Sequence, residues 1–345
     1  MKTYKQNADF LYLGRKLLAW YKIHGRDLPF RKTNDPYHIW ICEIIFQQTR
    51  IEQGLNHYNR FIARFPDVHT LAAAETDEVL LYWKGLGYYS RALNIHKAAG
   101  QIVEDFGGVF PREYEGILSL RGVGRYTAAA VSSICYGERM PAVDGNFYRV
   151  LSRVFADEFD VSKSTAFSYF SELALRMMPG GEAGHFNEAM MDLGSEICRP
   201  RNPLCEQCPL NRDCRALQLG RITELPLKSK KQKTTALEMT YYFVEFEGVF
   251  LIKQRKEDFI WKRLYEFPDA IPREWERFIV NQRSVSHKLT HKDMTLHFFK
   301  VIPDTREAFE LFAESHGYLL SSEEASHQKS FPKPLENYIK MQANN

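Results

Sequence analysis

Apolar positions recur at helical spacing through the first 220 residues and in short alternating runs after them. Alanine-rich amphipathic stretches over Tyr89–Phe106 and Arg125–Tyr136 predict helices, and Gly137 stands where the second should stop. Asp35-Pro36 predicts a helix start, with Asp35 as cap and Pro36 in the first turn, for a segment running through Ile39, Trp40, Ile41, Glu43, Ile44, Ile45 and Phe46. Around Arg221–Thr235 the chain turns polar and lysine-rich, with Pro226 inside it, and reads as a linker. Beyond it, Tyr241–Phe246, a Glu247-Gly248 turn and Val249–Lys253 predict a hairpin. Met294–Ile302 predicts a further strand ended by Pro303, and Pro334–Gln342 a closing helix. The expected plan is an all-α domain over residues 1–220, a linker over 221–235 and a smaller α/β domain over 236–345. No internal repeat or low-complexity tract interrupts it.

A chain of 345 residues has room for two or three domains, each with its own core. The hydrophobic fraction of 44% and charged fraction of 26% are those of an ordinary soluble globular protein, and no run reaches the length of a membrane span. The N-terminus MKTYKQNADFLYLG carries no apolar core of a secretory signal, so a cytoplasmic location is expected. The net charge of +3 is too small to argue for a nucleic-acid partner by itself. Between Cys198 and Lys233, however, nine Lys/Arg (Arg199 and Arg201 among them) face three acids. That local excess could attract phosphates, but by itself a solvated linker is the simpler reading.

Four cysteines change the picture most. Cys198, Cys205, Cys208 and Cys214 follow a C-x6-C-x2-C-x5-C spacing within 17 residues, whereas Cys42 and Cys135 stand alone in apolar helical sequence. Four thiolates so close together suit one four-coordinate soft metal centre. A zinc ribbon usually presents two C-x2-C pairs. This run has a single pair with long outer gaps, which fits a [4Fe–4S] cube better, one per chain, with a set of disulfides as the bland alternative.

Further groups offer chemistry with less specificity. In Leu120-Arg121-Gly122-Val123-Gly124-Arg125-Tyr126-Thr127-Ala128, Gly122 and Gly124 precede a helix whose N-terminal amides would face an anion. This is the geometry of a helix-hairpin-helix phosphate clamp, and also of a plain interhelical turn. Glu43 sits among Trp40, Ile44 and Phe46: buried, it would gain proton affinity and suit a general acid, and on the solvent face it would do neither. Asp144 opens Asp144-Gly145-Asn146-Phe147-Tyr148-Arg149-Val150, where a helix N-cap is the simplest role. Two carboxylates in unlike surroundings are nonetheless what glycosidic-bond cleavage needs. Gln47, Gln48 and Tyr88-Tyr89 lie beside helix ends and either wedge into a base stack or pack on the surface.

Together these pieces resemble the adenine DNA glycosylase family, within the endonuclease III superfamily. The resemblance runs through Leu28-Pro29-Phe30-Arg31, Trp40–Thr49, Gly85-Leu86-Gly87-Tyr88-Tyr89, Leu120–Ala128 and Val143-Asp144-Gly145-Asn146, then Phe186–Gly194 and the four-cysteine loop. It implies a helix-hairpin-helix glycosylase core with a [4Fe–4S] loop, followed by a Nudix-like α/β domain. It further implies a monomer that acts on double-stranded DNA carrying adenine opposite 8-oxoguanine or guanine. Glu43 matches the general acid that protonates adenine, and Asp144 the carboxylate that stabilises the oxocarbenium ion through a short-lived covalent adduct. Asn146 and Tyr126 match residues that orient Asp144 and the sugar, and Arg31 and Glu188 match supports of the adenine pocket. Gln48 and Tyr88 match residues that insert beside the lesion as adenine is flipped out. Arg199 and Arg201 would contact phosphates on a loop braced by a cluster that cleaves no bond.

Tyr126 discriminates within the superfamily. Bifunctional endonuclease III enzymes carry a lysine there, whose amine forms a Schiff base with the sugar, and a phenol cannot do so. Base removal without an efficient lyase step is expected. The C-terminal domain lacks a G-x5-E-x7-R-E Nudix box, so pyrophosphate hydrolysis is not expected. Its Leu289-Thr290-His291 matches the family's Phe-Ser-His lesion-recognition motif, with Thr290 and His291 as the contacting pair and a methyl that restricts the Thr290 rotamer. Phe30 stands where many relatives have Trp. The rivals are an endonuclease III-type pyrimidine glycosylase, against which Tyr126 speaks, and a DNA-binding protein in which Glu43 would have no purpose.

Overall fold

The computed structural model describes residues 7–47, 49, 51–229, 235–256, 260–289 and 292–343. Gln48, Thr290 and His291 lie outside the described residues. Two compact units divide the chain: Met1–Ala73 with Asn94–Lys231, and Ala74–Leu93 with Gln232–Asn345. The stretch Ala74–Leu93 thus groups with the C-terminal residues and interrupts the unbroken helical domain expected over 1–220. Its Asp77 carboxylate accepts hydrogen bonds from Gln254 Nε2 at 3.0 Å and from the Tyr265 hydroxyl at 3.1 Å, ties that hydropathy patterning does not reveal.

The helices run in chain order as α1 (Asn7–His24), α2 (Pro36–Phe46), α3 (Ile51–Arg64), α4 (Val68–Ala72), α5 (Thr76–Trp83) and α6 (Ser90–Asp105), then α7 (Tyr114–Leu118), α8 (Arg125–Tyr136), α9 (Gly145–Phe155), α10 (Ala166–Met177), α11 (Ala183–Asp192) and α12 (Arg215–Gln218). The predicted starts and stops hold. Asp35 caps α2 by accepting from Tyr37 N at 2.8 Å and His38 N at 3.3 Å, with Pro36 in the first turn, where a missing N–H does no harm. Gly137 ends α8 in the left-handed region, its N–H bonded to the Ser133 carbonyl. Small buried residues of α8, Thr127 to Val131, let α2, α7 and α11 close in on it. Behind them α1, α9, α10 and α11 share a core that includes Leu17, Phe147, Leu151, Phe170 and Phe186, and Cys198 and Cys208 pack at its edge. After Asp192, α11 widens into a π-helical turn, Leu193–Ile197, a conformation that recurs at functional sites. That turn delivers the chain to Cys198.

In the second unit, β1 (Thr235–Phe246) and β2 (Val249–Gln254) form the predicted hairpin, with Glu247 and Gly248 both at positive φ as a tight primed turn requires. A mixed sheet follows from β3 (Tyr265–Glu266), β4 (Ile279–Lys288), β5 (Lys292–Val301) and β6 (Leu319–Ser322), in the order β3-β2-β1-β5-β4 with β6 against β2. β1 and β5 are parallel, and the other pairs are antiparallel. Alternation along β1 sends Tyr241 and Phe243 to one apolar cluster with Phe298 and Tyr338, and Val244 to another with Phe309 and Phe312. Helices α13 (Arg306–His316) and α15 (Lys333–Ala343) therefore cover opposite faces of the sheet, while α14 (Glu323–Ser326) lies between them in sequence. This α/β arrangement is compatible with the expected Nudix-like form. No helix among the described residues is long and apolar enough to cross a membrane.

Candidate active site

Glu43 sits on α2, on the turn that faces α8. Its side chain is partly buried, and the Tyr126 hydroxyl from the first turn of α8 donates to it. Burial is the largest influence and pushes Glu43 up to about 7; the Tyr126 bond and the Arg31 charge pull it down, and Glu188 and Asp144 add to the rise. Of the two readings open in the sequence, the inward-facing one is observed, with Glu43 partly buried and turned to α8. Tyr126 is itself partly buried and held well above the usual phenol range by desolvation and by Glu43 and Asp144, so it stays a neutral donor. Its hydroxyl also lies 3.6 Å from the Met191 sulfur.

Asp144 caps α9. Its Oδ1 accepts from Asn146 N at 2.8 Å and Phe147 N at 3.0 Å, and its Oδ2 accepts from Asn146 Nδ2 at 2.7 Å. Burial pushes this carboxyl up, and the three bonds and Arg149 oppose the rise. The N-cap role anticipated from sequence is real, and the same bonds fix the carboxylate beside the Glu43–Tyr126 pair. Arg149, which sequence reading left without a task, donates from Nη2 to Asn146 Oδ1 at 2.7 Å and to the Gly194 carbonyl at 2.8 Å, and from Nε to the Cys198 carbonyl at 2.6 Å.

Arg31 and Glu188 join from two further elements. Arg31 lies in a 3-10 turn (Pro29–Lys32), and Glu188 on α11. The Arg31 Nε stands 3.4 Å from Glu188 Oε1, and the Tyr21 hydroxyl donates to Glu188 Oε2 at 2.9 Å. Tyr21, Arg26 and Asp192 complete this network. Asp192 lay within the Phe186–Gly194 motif, but nothing in its spacing distinguished it from a surface acid.

The hairpin glycines occupy the turn between α7 and α8. Gly122 is at φ +76°, and a Cβ there would meet the Asn94 side chain at 2.5 Å. Gly124 is the N-cap of α8, which no side chain caps, so the first amides of that helix point outward. Arg199 and Arg201 are exposed on the cysteine loop. Arg221, counted with them in the basic stretch, is instead paired to Glu158 and Glu224. Tyr88 belongs to the second unit, where it is 50% exposed at φ 47° with the Arg91 guanidinium over its ring.

Cys198, Cys205, Cys208 and Cys214 line a common cavity with Val154, Leu193 and Ile197, and all four thiols are free. Among the described residues no three His, Cys, Asp or Glu side chains converge tightly enough for a single metal ion. The four cysteines nonetheless line one cavity, and four cysteine sulfurs are the ligand set that an iron–sulfur cluster takes. Arg153, 2% exposed, frames the cavity by donating to the carbonyls of Leu225, Arg199 and Pro200 and approaching the Cys198 sulfur at 3.4 Å.

Residues 41–173 match the family model described as HhH-GPD superfamily base excision DNA repair protein. Residues 198–214 match the iron-sulfur binding domain of endonuclease III. The chain is 31% identical over 342 residues to an adenine DNA glycosylase of Buchnera aphidicola subsp. Schizaphis graminum, covering 94% of this chain and 97% of the relative. Among solved structures, a thermostable thymine-DNA glycosylase matches at 31% identity with a TM-score of 0.58, covering 62% of this chain and 98% of that one. An endonuclease III in a non-covalent DNA complex shares the fold at 21% identity and a TM-score of 0.54, again over 62% of this chain and 98% of that one.

Proposed function

This chain belongs to the adenine DNA glycosylase family, and we propose that it removes adenine mispaired with 8-oxoguanine or guanine from duplex DNA by acid-assisted hydrolysis of the N-glycosidic bond. The observation that carries the reading is the Glu43–Tyr126 pair beside Arg31: a partly buried carboxyl whose proton affinity is raised to about 7 holds a proton at neutral pH and can give it up. Adenine is flipped out of the stack because its glycosidic bond is inaccessible in a duplex. Glu43 then protonates the base, which leaves neutral. Asp144, oriented by Asn146 and the first amides of α9, stands against the positive charge that develops on the sugar. Tyr126 holds Glu43 and supplies no amine, so the abasic product stays unbroken.

Arg31 and Glu188 support the adenine pocket, while Gly122 and Gly124 bring the uncapped amides of α8 to a phosphate. Gln48 and Tyr88 insert beside the lesion, and Thr290 with His291 reads 8-oxoguanine on the opposite strand. Cys198, Cys205, Cys208 and Cys214 would hold the [4Fe–4S] cluster, which when bound ties the thiolates into one rigid loop and presents Arg199 and Arg201 to the backbone. Residues 1–220 would act as the glycosylase core and 236–345 as the lesion-recognition domain, joined through 221–235.

The test is base release from a panel of duplexes. Adenine opposite 8-oxoguanine and adenine opposite guanine should be processed, with strand cleavage only after added base. Thymine opposite guanine is included because a thymine-DNA glycosylase shares the fold at comparable identity. Preference for thymine, or cleavage of thymine-glycol DNA, would replace this reading with a pyrimidine glycosylase.

A further inference from the structure

Asp192 exposes none of its side chain, yet neither proton transfer nor sugar stabilisation uses it. It sits at the last position of α11, one residue before the π-helical turn. Donors from two arginines converge on it. Arg31 reaches it with two nitrogens, Nη1 to Oδ2 at 2.7 Å and Nη2 to Oδ1 at 2.8 Å. Arg26 adds its Nε to Oδ1 at 2.7 Å and its backbone N–H to Oδ2 at 3.0 Å. A planar carboxylate gripped by a planar guanidinium at two points fixes distance and also orientation. The third Arg31 nitrogen, Nε, is thereby directed at Glu188, itself held by Tyr21, whose ring lies 5.7 Å beneath the guanidinium.

Two arginines meet here in a poorly hydrated space. Without an anion between them they would repel, and Arg31 would turn to the nearest carboxylates, Glu188 and Glu43. With Asp192 in place the two cations are met by Asp192 and Glu188, with the exposed Glu196 3.8 Å from Arg26 Nη1, and Glu43 can keep its proton. We propose that Asp192 is a positioning residue for base removal: it clamps Arg31 against Glu188 and prevents Arg31 from forming an ion pair with Glu43. The inference rests on the adenine glycosylase reading. Burial alone would raise the Asp192 carboxyl, and the bonds from Arg31 and Arg26 reverse this and hold it below the usual range, so it remains an anion wherever the enzyme works.

The groups that face Glu43 are Tyr126 from α8, Arg31 from the 3-10 turn, Glu188 from α11 and Asp144 at the start of α9, with Cys42 on its own helix. Asp192→Asn keeps the shape and removes the charge, so Arg31 acts on Glu43 unopposed and lowers its proton affinity. A general acid must be protonated to act, so the rate falls as pH rises through its pKa, and in the variant that fall should come earlier.

The experiment measures single-turnover adenine release against pH from a duplex with adenine opposite 8-oxoguanine. It compares wild type, Asp192→Asn, Arg31→Met and the double variant, with thermal melting as the check on folding. The alkaline limb of Asp192→Asn should move down by about one pH unit, with a rate reduced roughly tenfold or more. In the Arg31→Met background the same change should alter the rate by less than about twofold, since the two residues act as a unit. An unshifted limb with additive losses means a structural role and overturns the inference, as does a wild-type rate. Should Asp192→Asn fail to fold, Asp192→Glu decides. It keeps the charge but displaces the carboxylate, so a limb at the wild-type position with a rate lowered roughly tenfold supports the clamp, and a wild-type rate overturns it. Failure of wild type itself to release adenine would sink the glycosylase reading instead.

Discussion

Gly194 leaves the space that Asn146 fills: a Cβ at Gly194 would stand 2.5 Å from the Asn146 Cβ and 2.7 Å from its Oδ1. Asn146 in turn donates to Asp144. The π-helical turn is thus packed directly against the residue that orients the carboxylate. Gly194→Ala should push Asn146 off Asp144 and lower the single-turnover rate roughly tenfold to a hundredfold, while duplex affinity changes little. It should also destabilise the fold by about 1–3 kcal/mol, as overpacking does. Kinetics and a denaturation curve on one preparation check both.

Glu43 should be a burden on stability at neutral and alkaline pH. Its folded pKa, about 7, lies above the ordinary carboxyl value of 4.5, so the native state binds the extra proton between those pH values and stability falls as pH rises through that window. Glu43→Gln removes the penalty. At pH 8 the variant should be more stable than wild type by about 2–3 kcal/mol, and the difference should shrink toward zero near pH 4.5. Equal stabilities at pH 8 would mean that Glu43 does not carry the raised proton affinity argued for it.

Asn187 anchors the segment that leads into Asp144. Fully buried, it accepts from Ala142 N at 3.0 Å and donates to Ser133 Oγ at 2.7 Å and the Met140 carbonyl at 2.8 Å. Asn187→Ala orphans the Ala142 amide and two acceptors and should cost about 2–4 kcal/mol, read as a lower Tm with no change in the pH profile of whatever activity remains.

Arg153 braces the cysteine loop through the carbonyls of Cys198, Arg199 and Pro200 and ties it to that of Leu225. Arg153→Met keeps the volume but leaves those oxygens unpaired, so the loop should loosen. The expected signs are faster loss of iron–sulfur absorbance in the presence of a chelator and a stability loss of about 3 kcal/mol or more.

Much of this architecture is legible in the amino-acid order. Asp35-Pro36, Gly137 and Glu247-Gly248 act through their own backbone chemistry, and local rules place them correctly. The burial of Glu43 was open in the sequence, because the face of α2 that turns inward depends on α8, a partner some eighty residues away. Asp192, Arg26 and Tyr21 were opaque for the same reason: an Asp at a helix end looks solvated until two arginines from another turn are folded onto it. The joining of Ala74–Leu93 to the C-terminal residues involves Asp77 and Lys84, whose partners lie far along the chain. Strand β4 was missed because its outward positions are polar and its run, Asn281 to Lys288, has little apolar alternation.

The most direct measurement is the pH dependence of single-turnover adenine release from adenine opposite 8-oxoguanine, for wild type and Glu43→Gln. The account predicts release by wild type with a rate that declines above about pH 7, no measurable release by Glu43→Gln, and an intact abasic strand until base is added. Release by Glu43→Gln at a rate near wild type, or a wild-type rate that does not fall across that pH range, would contradict it.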